Sequence, residues 1–233
     1  ESPVLYRNDR GVFEDITSRV NAGDGMVPHV AWGVGLVDFD NDGWRDIFYA
    51  CGHLQDSLDA PGRPTAYRTA NTLLVNTEGR FRNVSRNAGS GLLPVASSRG
   101  AAFDDFDADG LVDAVILNAR EGPTLARNTS PSPGNWLDVR LVGTHGSRDA
   151  VGATVRIEFD RGTSFAEVLN GRGYQGYFGR SLHFGVGQAE RVRVRVEWMG
   201  GASTEIDDVA CGRRLTIVEP RPDRPTAIDP RPE

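Results

Sequence analysis

The chain has 233 residues and a formal net charge of −6, and every one of its 26 basic residues is arginine. The absence of lysine excludes lysine Schiff-base chemistry and a phosphate-gripping Walker loop. The excess of acid argues against a nucleic-acid or membrane-surface partner. Charged residues at 25% and hydrophobic residues at 39% give a globular composition. No apolar run approaches the roughly 18 residues that would span a membrane. The chain starts at Glu1 rather than Met, which suggests a processed or truncated product, so the lack of a leader says nothing about export.

Along the chain the first signal is a turn. Leu5-Tyr-Arg-Asn8-Asp-Arg-Gly11-Val-Phe13 recurs as Leu73-Leu-Val-Asn76-Thr-Glu-Gly79-Arg-Phe81, with Asn and Gly bracketing a tight turn before a strand. A third start, Leu125-Ala-Arg-Asn128, precedes Pro131. The second signal is an acidic loop. Asp38-Phe-Asp40-Asn-Asp42-Gly43-Trp44-Arg-Asp46 returns 67 residues on as Asp105-Phe-Asp107-Ala-Asp109-Gly110-Leu111-Val-Asp113. Short apolar segments flank both copies, so each reads as a β-hairpin with the loop at its tip. Two units of about four short strands each suggest propeller blades.

From Asn135 the pattern changes. Leu137, Val139 and Leu141, then Val155, Ile157 and Phe159, then Val192, Val194, Val196 and Trp198 alternate with polar residues. These are half-buried strands of a small sandwich or barrel. Residues 220–233 combine proline with arginine and aspartate and read as an exposed tail. The expected organisation is therefore 1–133 (two repeats with acidic loops), 134–219 (a β domain) and 220–233 (a tail).

Each acidic loop spells D-x-D-x-D-G-x-x-D. Four carboxylates in nine residues repel one another unless a cation neutralises them. Calcium takes about six to eight oxygens in flexible geometry. Asp38, Asp40, Asp42, the Trp44 carbonyl and Asp46 form one expected ligand set. Asp105, Asp107, Asp109, the Leu111 carbonyl and Asp113 form the other. Both loops lack the glutamate at position 12 of an EF-hand, where Tyr49 and Ile116 stand, and strands rather than helices flank them. Transition metals would call for His or Cys ligands, which the loops lack.

Other candidates are weaker. Cys51 and Cys211 read as two unrelated thiols, although a single bridge is conceivable. Cys51 near His53 could form a nucleophile pair, but a turn histidine is the plainer reading. Gly171-Arg-Gly-Tyr174-Gln-Gly-Tyr177-Phe-Gly179 is either a sugar platform or a loop with packed aromatics. Arg191, Arg193 and Arg195 line one strand face, for acidic glycans or simply for solvent. Asn83-Val-Ser85 and Asn128-Thr-Ser130 are formal glycosylation sequons.

The repeats resemble FG-GAP or VCBS repeats of integrin-type propellers. The run from Asp38 through Cys51-Gly-His53, Asn71 to Asn76 and Ser98 to Asp107 is similar to the closing blades of the cartilage acidic protein and UnbV-like family. Asn135 to Thr144, Ser147 to Thr154, Ser181-Leu-His-Phe-Gly-Val-Gly187 and Val194 to Trp198 resemble that family's ASPIC/UnbV domain. The resemblance implies an all-β chain: two calcium-binding FG-GAP-type blades, part of a larger propeller, followed by a small sandwich-like domain. It also implies an extracellular or periplasmic setting and two Ca²⁺ sites. The expected function is adhesion, scaffolding or complex assembly. A metal-dependent propeller enzyme of natural-product biosynthesis and a carbohydrate-binding module are the alternatives. Two blades cannot close a propeller, so missing N-terminal blades or a protein partner are expected to complete it. The lysine-free composition points to a GC-rich bacterial genome.

Overall fold

The computed structural model describes residues 3–59, 66–131, 133–221 and 228–229. It is almost wholly β, as the alternating patterns and turn residues predict. β1 (Tyr6–Asp9) and β2 (Val12–Asp15) form a hairpin, followed by a single helical turn, α1 (Thr17–Val20). Then come β3 (Ala31–Val37), β4 (Asp46–Cys51), β5 (Thr69–Ala70), β6 (Thr72–Thr77), β7 (Arg80–Asn83) and β8 (Val95–Ala96). β9 (Ser98–Asp104), β10 (Asp113–Asn118) and β11 (Thr124–Ala126) complete the N-terminal half.

β3-β4-β6-β7 is an antiparallel four-stranded sheet, and β11-β10-β9 is a three-stranded one. The β1–β2 and β6–β7 hairpins are copies of one device. Their two-residue turns, Arg10-Gly11 and Glu78-Gly79, have positive φ at both positions (51 and 92°, 50 and 86°). That is the primed turn whose twist matches paired strands. In each, the asparagine side chain accepts the turn glycine's N–H, Gly11 to Asn8 at 2.8 Å and Gly79 to Asn76 at 2.9 Å. Downstream, a hydroxyl closes each hairpin at its base: Thr17 accepts from Leu5 N at 2.8 Å, and Ser85 from Leu73 N at 2.9 Å.

Every residue of β4 is buried. Ile47, Tyr49 and Cys51 pack with Leu74, Phe81 and Met26, whereas Phe48 and Ala50 face Ala101, Phe103, Ala114 and Ile116. Phe103 is the hub of this second core. Phe39, Phe48 and Phe178 meet it edge-on at centroid distances of 5.9, 5.4 and 5.2 Å. Among the described residues these N-terminal sheets do not close into a ring.

The C-terminal half comprises β12 (Asn135–Val142), β13 (Thr154–Phe159), β14 (Gly162–Glu167), β15 (Ser181–Gly187), β16 (Arg191–Glu197), β17 (Ser203–Ala210), β18 (Arg213–Val218) and β19 (Ile228–Asp229). Sheets β15-β12-β18-β19 and β14-β13-β16-β17 face each other. Leu137, Val139, Ile157, Phe184, Val194 and Ile217, drawn from both sheets, form one buried core between them. The tail expectation needs a partial correction. Within 220–233, residues Ile228–Asp229 pair as a strand with Thr216 and Ile217, which extends the hydrophobic sheet edge. The rest of that reading, residues 222–227 and 230–233, lies outside the described residues. Among the described residues no helix is long and apolar enough to cross a membrane.

Because Phe103 joins both N-terminal sheets to Phe178 of the C-terminal half, truncating it opens a cavity at a three-way junction. Phe103→Ala is expected to destabilise the chain by about 3–5 kcal/mol in urea unfolding.

Candidate metal centre at the first acidic loop

The two acidic loops cap the β3–β4 and β9–β10 hairpins and follow one backbone path. The fourth residue of each, Asn41 and Ala108, is left-handed (φ 58 and 60°), as is the sixth, Gly43 and Gly110. In the first loop the Asp38 carboxylate accepts the N–H groups of Asp42 (3.1 Å) and Gly43 (2.9 Å), and Asp42 accepts that of Trp44 (2.7 Å). In the second, Asp105 accepts from Asp109 (3.1 Å) and Gly110 (2.9 Å), and Asp109 from Leu111 (2.9 Å). The backbone thus curls around the first carboxylate. Asp38, Asp40 and Asp42 converge with one oxygen each inside a 4.8 Å span, as do Asp105, Asp107 and Asp109. Either cluster can hold a metal ion.

Asp46 and Asp113, at position nine, do not join these clusters. Each is a clip. Asp46 accepts Phe39 N at 3.0 Å and Asn76 N at 2.8 Å; Asp113 accepts Phe106 N at 3.1 Å and Asn128 N at 2.7 Å. Both oxygens therefore tie the loop to the asparagine of the following strand segment. Trp44 and Leu111, at position seven, donate their N–H groups to the position-five carboxylate.

The loops differ in charge balance. Arg127 pairs with Asp107 (2.5 Å) and Asp109 (3.3 Å) in the second loop. Among the described residues no arginine forms an ion pair with a carboxylate of the first loop, where Arg161 reaches only the Asp42 carbonyl at 3.5 Å. The first loop is also more deeply placed, with Asp38 only 7% exposed. Burial pushes the Asp38 carboxyl up to about 8, and the charges of Asp46, Asp42 and Asp40 add to the shift. Burial likewise pushes Asp46 up to about 7 and raises Asp42. Asp105 is raised by burial as well, with Gly110 and Asp109 N–H groups opposing.

The first loop is buried because three parts of the chain meet on it. Asn41, fully buried, donates to the Gly110 carbonyl of the second loop at 2.9 Å. Its side-chain oxygen lies 2.8 Å from His183 Nε2 on β15, and its main-chain carbonyl accepts Gly187 N at 2.8 Å. Asn128 bridges the loops too, donating to the carbonyls of Phe39 (2.7 Å) and Val112 (3.1 Å). A Cβ at Gly185 on β15 would sit 2.0 Å from Asp38 Oδ2, so only glycine lets the sandwich approach this carboxylate. His183 stacks on Trp136 at 5.7 Å and 15°. Burial pushes it down to about 4, so it is neutral at physiological pH. Beside it Asp138 is buried and accepts Arg214 Nε at 3.0 Å.

Asn41, His183 and the Asp138–Arg214 pair were not among the residues singled out by sequence. The available signal was a polar difference between the loops at position four, Asn41 against Ala108. The remaining candidates resolve into structural roles. Cys51 and Cys211 are free; burial pushes the Cys51 thiol up to about 11, which removes a nucleophilic thiolate at neutral pH. His53 Nδ1 accepts the Gln55 N–H locally at 3.1 Å. Arg191, Arg193 and Arg195 pair with Asp208, Glu205, Asp207 and Glu197, which makes theirs a self-neutralised face. The Asn83 and Asn128 amides are engaged in local turns with Ser85 and Ser130. The glycine-rich stretch is an arm from the sandwich laid against β3 and β9, where a side chain at Gly176 would crowd the Ala101 carbonyl (3.1 Å). Tyr174 tilts onto Trp32 at 5.1 Å and Phe178 enters the second core, while Tyr177 stays exposed.

Residues 143–224 match the family described as ASPIC and UnbV. The matched stretch begins just after β12, although β12 belongs to the same sandwich. Over 215 residues the chain is 28% identical to human cartilage acidic protein 1, covering 84% of this chain and 29% of that protein. The mouse protein of that name is 26% identical over 181 residues, covering 70% and 25%. The Xenopus tropicalis one is 26% identical over 215 residues, covering 82% and 30%. The chain thus spans less than a third of the length of these curated relatives. A solved structure from Bacteroides uniformis, provisionally described as a cell adhesion protein, aligns over 86% of this chain and 90% of its own. Its 10% identity and TM-score of 0.28 are too low to bear on function.

Asn41→Ala removes a donor to Gly110 and an acceptor from His183 while both partners stay buried. It is expected to cost about 1–3 kcal/mol in chemical denaturation.

Proposed function

We propose that this chain, whose residues 143–224 belong to the ASPIC/UnbV family, is a calcium-binding, non-catalytic β module for adhesion, scaffolding or complex assembly outside the cytoplasm. One observation carries this reading: the first loop gathers Asp38, Asp40 and Asp42 in a buried junction, without an ion-paired arginine among the described residues. Oxygen-only donors in a tight loop suit calcium better than a transition metal. Asp38, Asp40 and Asp42 would hold the ion, with the Trp44 carbonyl and water completing its shell. Asp105, Asp107, Asp109 and the Leu111 carbonyl would hold a second. Asp46 and Asp113 fix the shape of each loop. Bound calcium supplies positive charge where like charges converge, and its role is structural. It would hold the two hairpin tips against the sandwich.

We further read β3-β4-β6-β7 as one blade of an FG-GAP-type propeller and β9-β10-β11 as the start of the next. β1–β2 repeats the outer hairpin of such a blade. The coverage of the curated relatives supports a larger assembly, in which further blades or a protein partner continue the ring. The name of those relatives, cartilage acidic protein 1, is compatible with an extracellular or periplasmic setting.

Calcium titration tests the reading. The Asp38 carboxyl is raised in the folded state, so the ion-free chain loses stability as pH rises from about 4 through 8. Calcium must displace that proton, so its affinity is expected to rise by up to about tenfold per pH unit until about pH 8. At one hundred times its Kd, calcium at each loop should stabilise the chain by about 2.7 kcal/mol. Asp38→Asn should abolish the first loop's share of both effects and leave that of the second loop. Calorimetry without heat, together with an unchanged melting temperature in chelator, would refute the assignment.

A further inference from the structure

The segment that follows each acidic loop repeats along with it. Leu73-Leu-Val75-Asn76 follows the first loop and Leu125-Ala-Arg127-Asn128 the second. The two asparagines are equivalent in place. Asn76 N donates to Asp46 at 2.8 Å and Asn128 N to Asp113 at 2.7 Å. Their side-chain amides donate to the position-eight carbonyls, Arg45 at 3.0 Å and Val112 at 3.1 Å. The residue just before the asparagine is therefore held at a matching place beside each loop. It is Val75 at the first loop and Arg127 at the second.

Arg127 reaches the oxygens that a cation would use. Asp109 Oδ1 already accepts the Leu111 N–H, which leaves Oδ2 for a ligand, and Arg127 Nη2 lies 3.3 Å from that oxygen. Arg127 Nε lies 2.5 Å from Asp107 Oδ2. In the first loop Asp42 Oδ1 accepts the Trp44 N–H and Asp40 Oδ1 the Asp42 N–H. Among the described residues no arginine pairs with the Oδ2 of either. The charges of Arg45 and Arg161 act on Asp38 and Asp42 from outside the cluster, with Arg45 donating to the Phe165 carbonyl and Arg161 to the Asp42 carbonyl. The Arg127 side chain is 62% exposed, so water weakens its ion pairs and a divalent ion can push it aside. A unit positive charge about 6 Å from a divalent ion in water weakens binding of that ion about tenfold.

We propose that Arg127 is a built-in competitor for the divalent cation at the second loop. Its guanidinium stands in at Asp107 and Asp109 when the ion is absent and moves aside when the ion binds. Val75 leaves the first loop without such a stand-in. With calcium bound as proposed above, on which this inference rests, the two loops answer the ion differently. The first depends on it. The second keeps its shape without calcium and binds it about tenfold more weakly than its own ligands would allow.

Calorimetric titration of the full chain with calcium chloride at low salt tests the role of Arg127, with each loop read alone in an Asp38→Asn or an Asp105→Asn background. In the Asp38→Asn chain, Arg127→Val is expected to tighten calcium at the second loop about tenfold. Arg127→Lys, which keeps the charge, should restore most of the parent affinity. Raising the salt should shrink the Arg127→Val effect, because the charge is exposed. In the Asp105→Asn chain, Val75→Arg should weaken calcium at the first loop by a similar factor. Melting curves give a second readout: in chelator Arg127→Val should melt below its parent, and calcium should raise its melting temperature by more. The same curves show which variants fold, and the Arg127 arm suffices if Val75→Arg does not. Calcium bound at the second loop with an affinity that Arg127→Val leaves unchanged would overturn the proposal while the calcium reading stands. Equal tightening by Arg127→Lys would overturn it as well, since charge would not be the cause. No heat at either loop in any of these chains would overturn both.

Discussion

Carboxylate crowding at the buried tip of the β3–β4 hairpin is the constraint on which the architecture turns. Asp38, Asp40 and Asp42 converge where the second loop and the sandwich press on the first. Such a cluster is tolerated in one of three ways: protonation, donated N–H groups, or a cation. The first loop displays two of these, in the raised Asp38 and Asp42 carboxyls and in the N–H groups curled around Asp38. The second loop, less deeply placed, uses Arg127. The same nine-residue pattern therefore sits in two electrostatic settings, and the first has the greater need of an external cation.

Repetition explains how one short loop design serves both places. The clips made by Asp46 with Asn76 and by Asp113 with Asn128 are equivalent, so loop shape is set by the hairpin and the next strand together. Specialisation sits at position four of the loop. Asn41 reaches both the second loop and His183, whereas Ala108 reaches neither. A polar residue that tolerates the left-handed backbone converts a hairpin tip into a three-way joint. Trp136 and Gly185 shape the sandwich face that receives it.

Much of this was legible in sequence. The hairpins, the acidic tips and the sandwich strands follow from local periodicity and from turn residues at fixed offsets. Asp38, Asp40, Asp42 and their three counterparts meet as the spacing implies. The position-nine aspartates illustrate the limit. Their carboxylates are ligand-like in a linear motif, but the partners that claim them, Asn76 and Asn128, lie outside it. Asn41 and His183 are 142 residues apart, and no period announces a polar contact across an interface. The aromatic glycine-rich stretch gave the right ingredients for an arm, but not its place against β3 and β9.

The central claim, that a divalent cation occupies the first loop, is most directly tested by diffraction from crystals grown in saturating calcium, using the calcium anomalous signal. The account predicts a peak about 2.3–2.6 Å from oxygens of Asp38, Asp40 and Asp42. A well-ordered first loop with no peak there would contradict it.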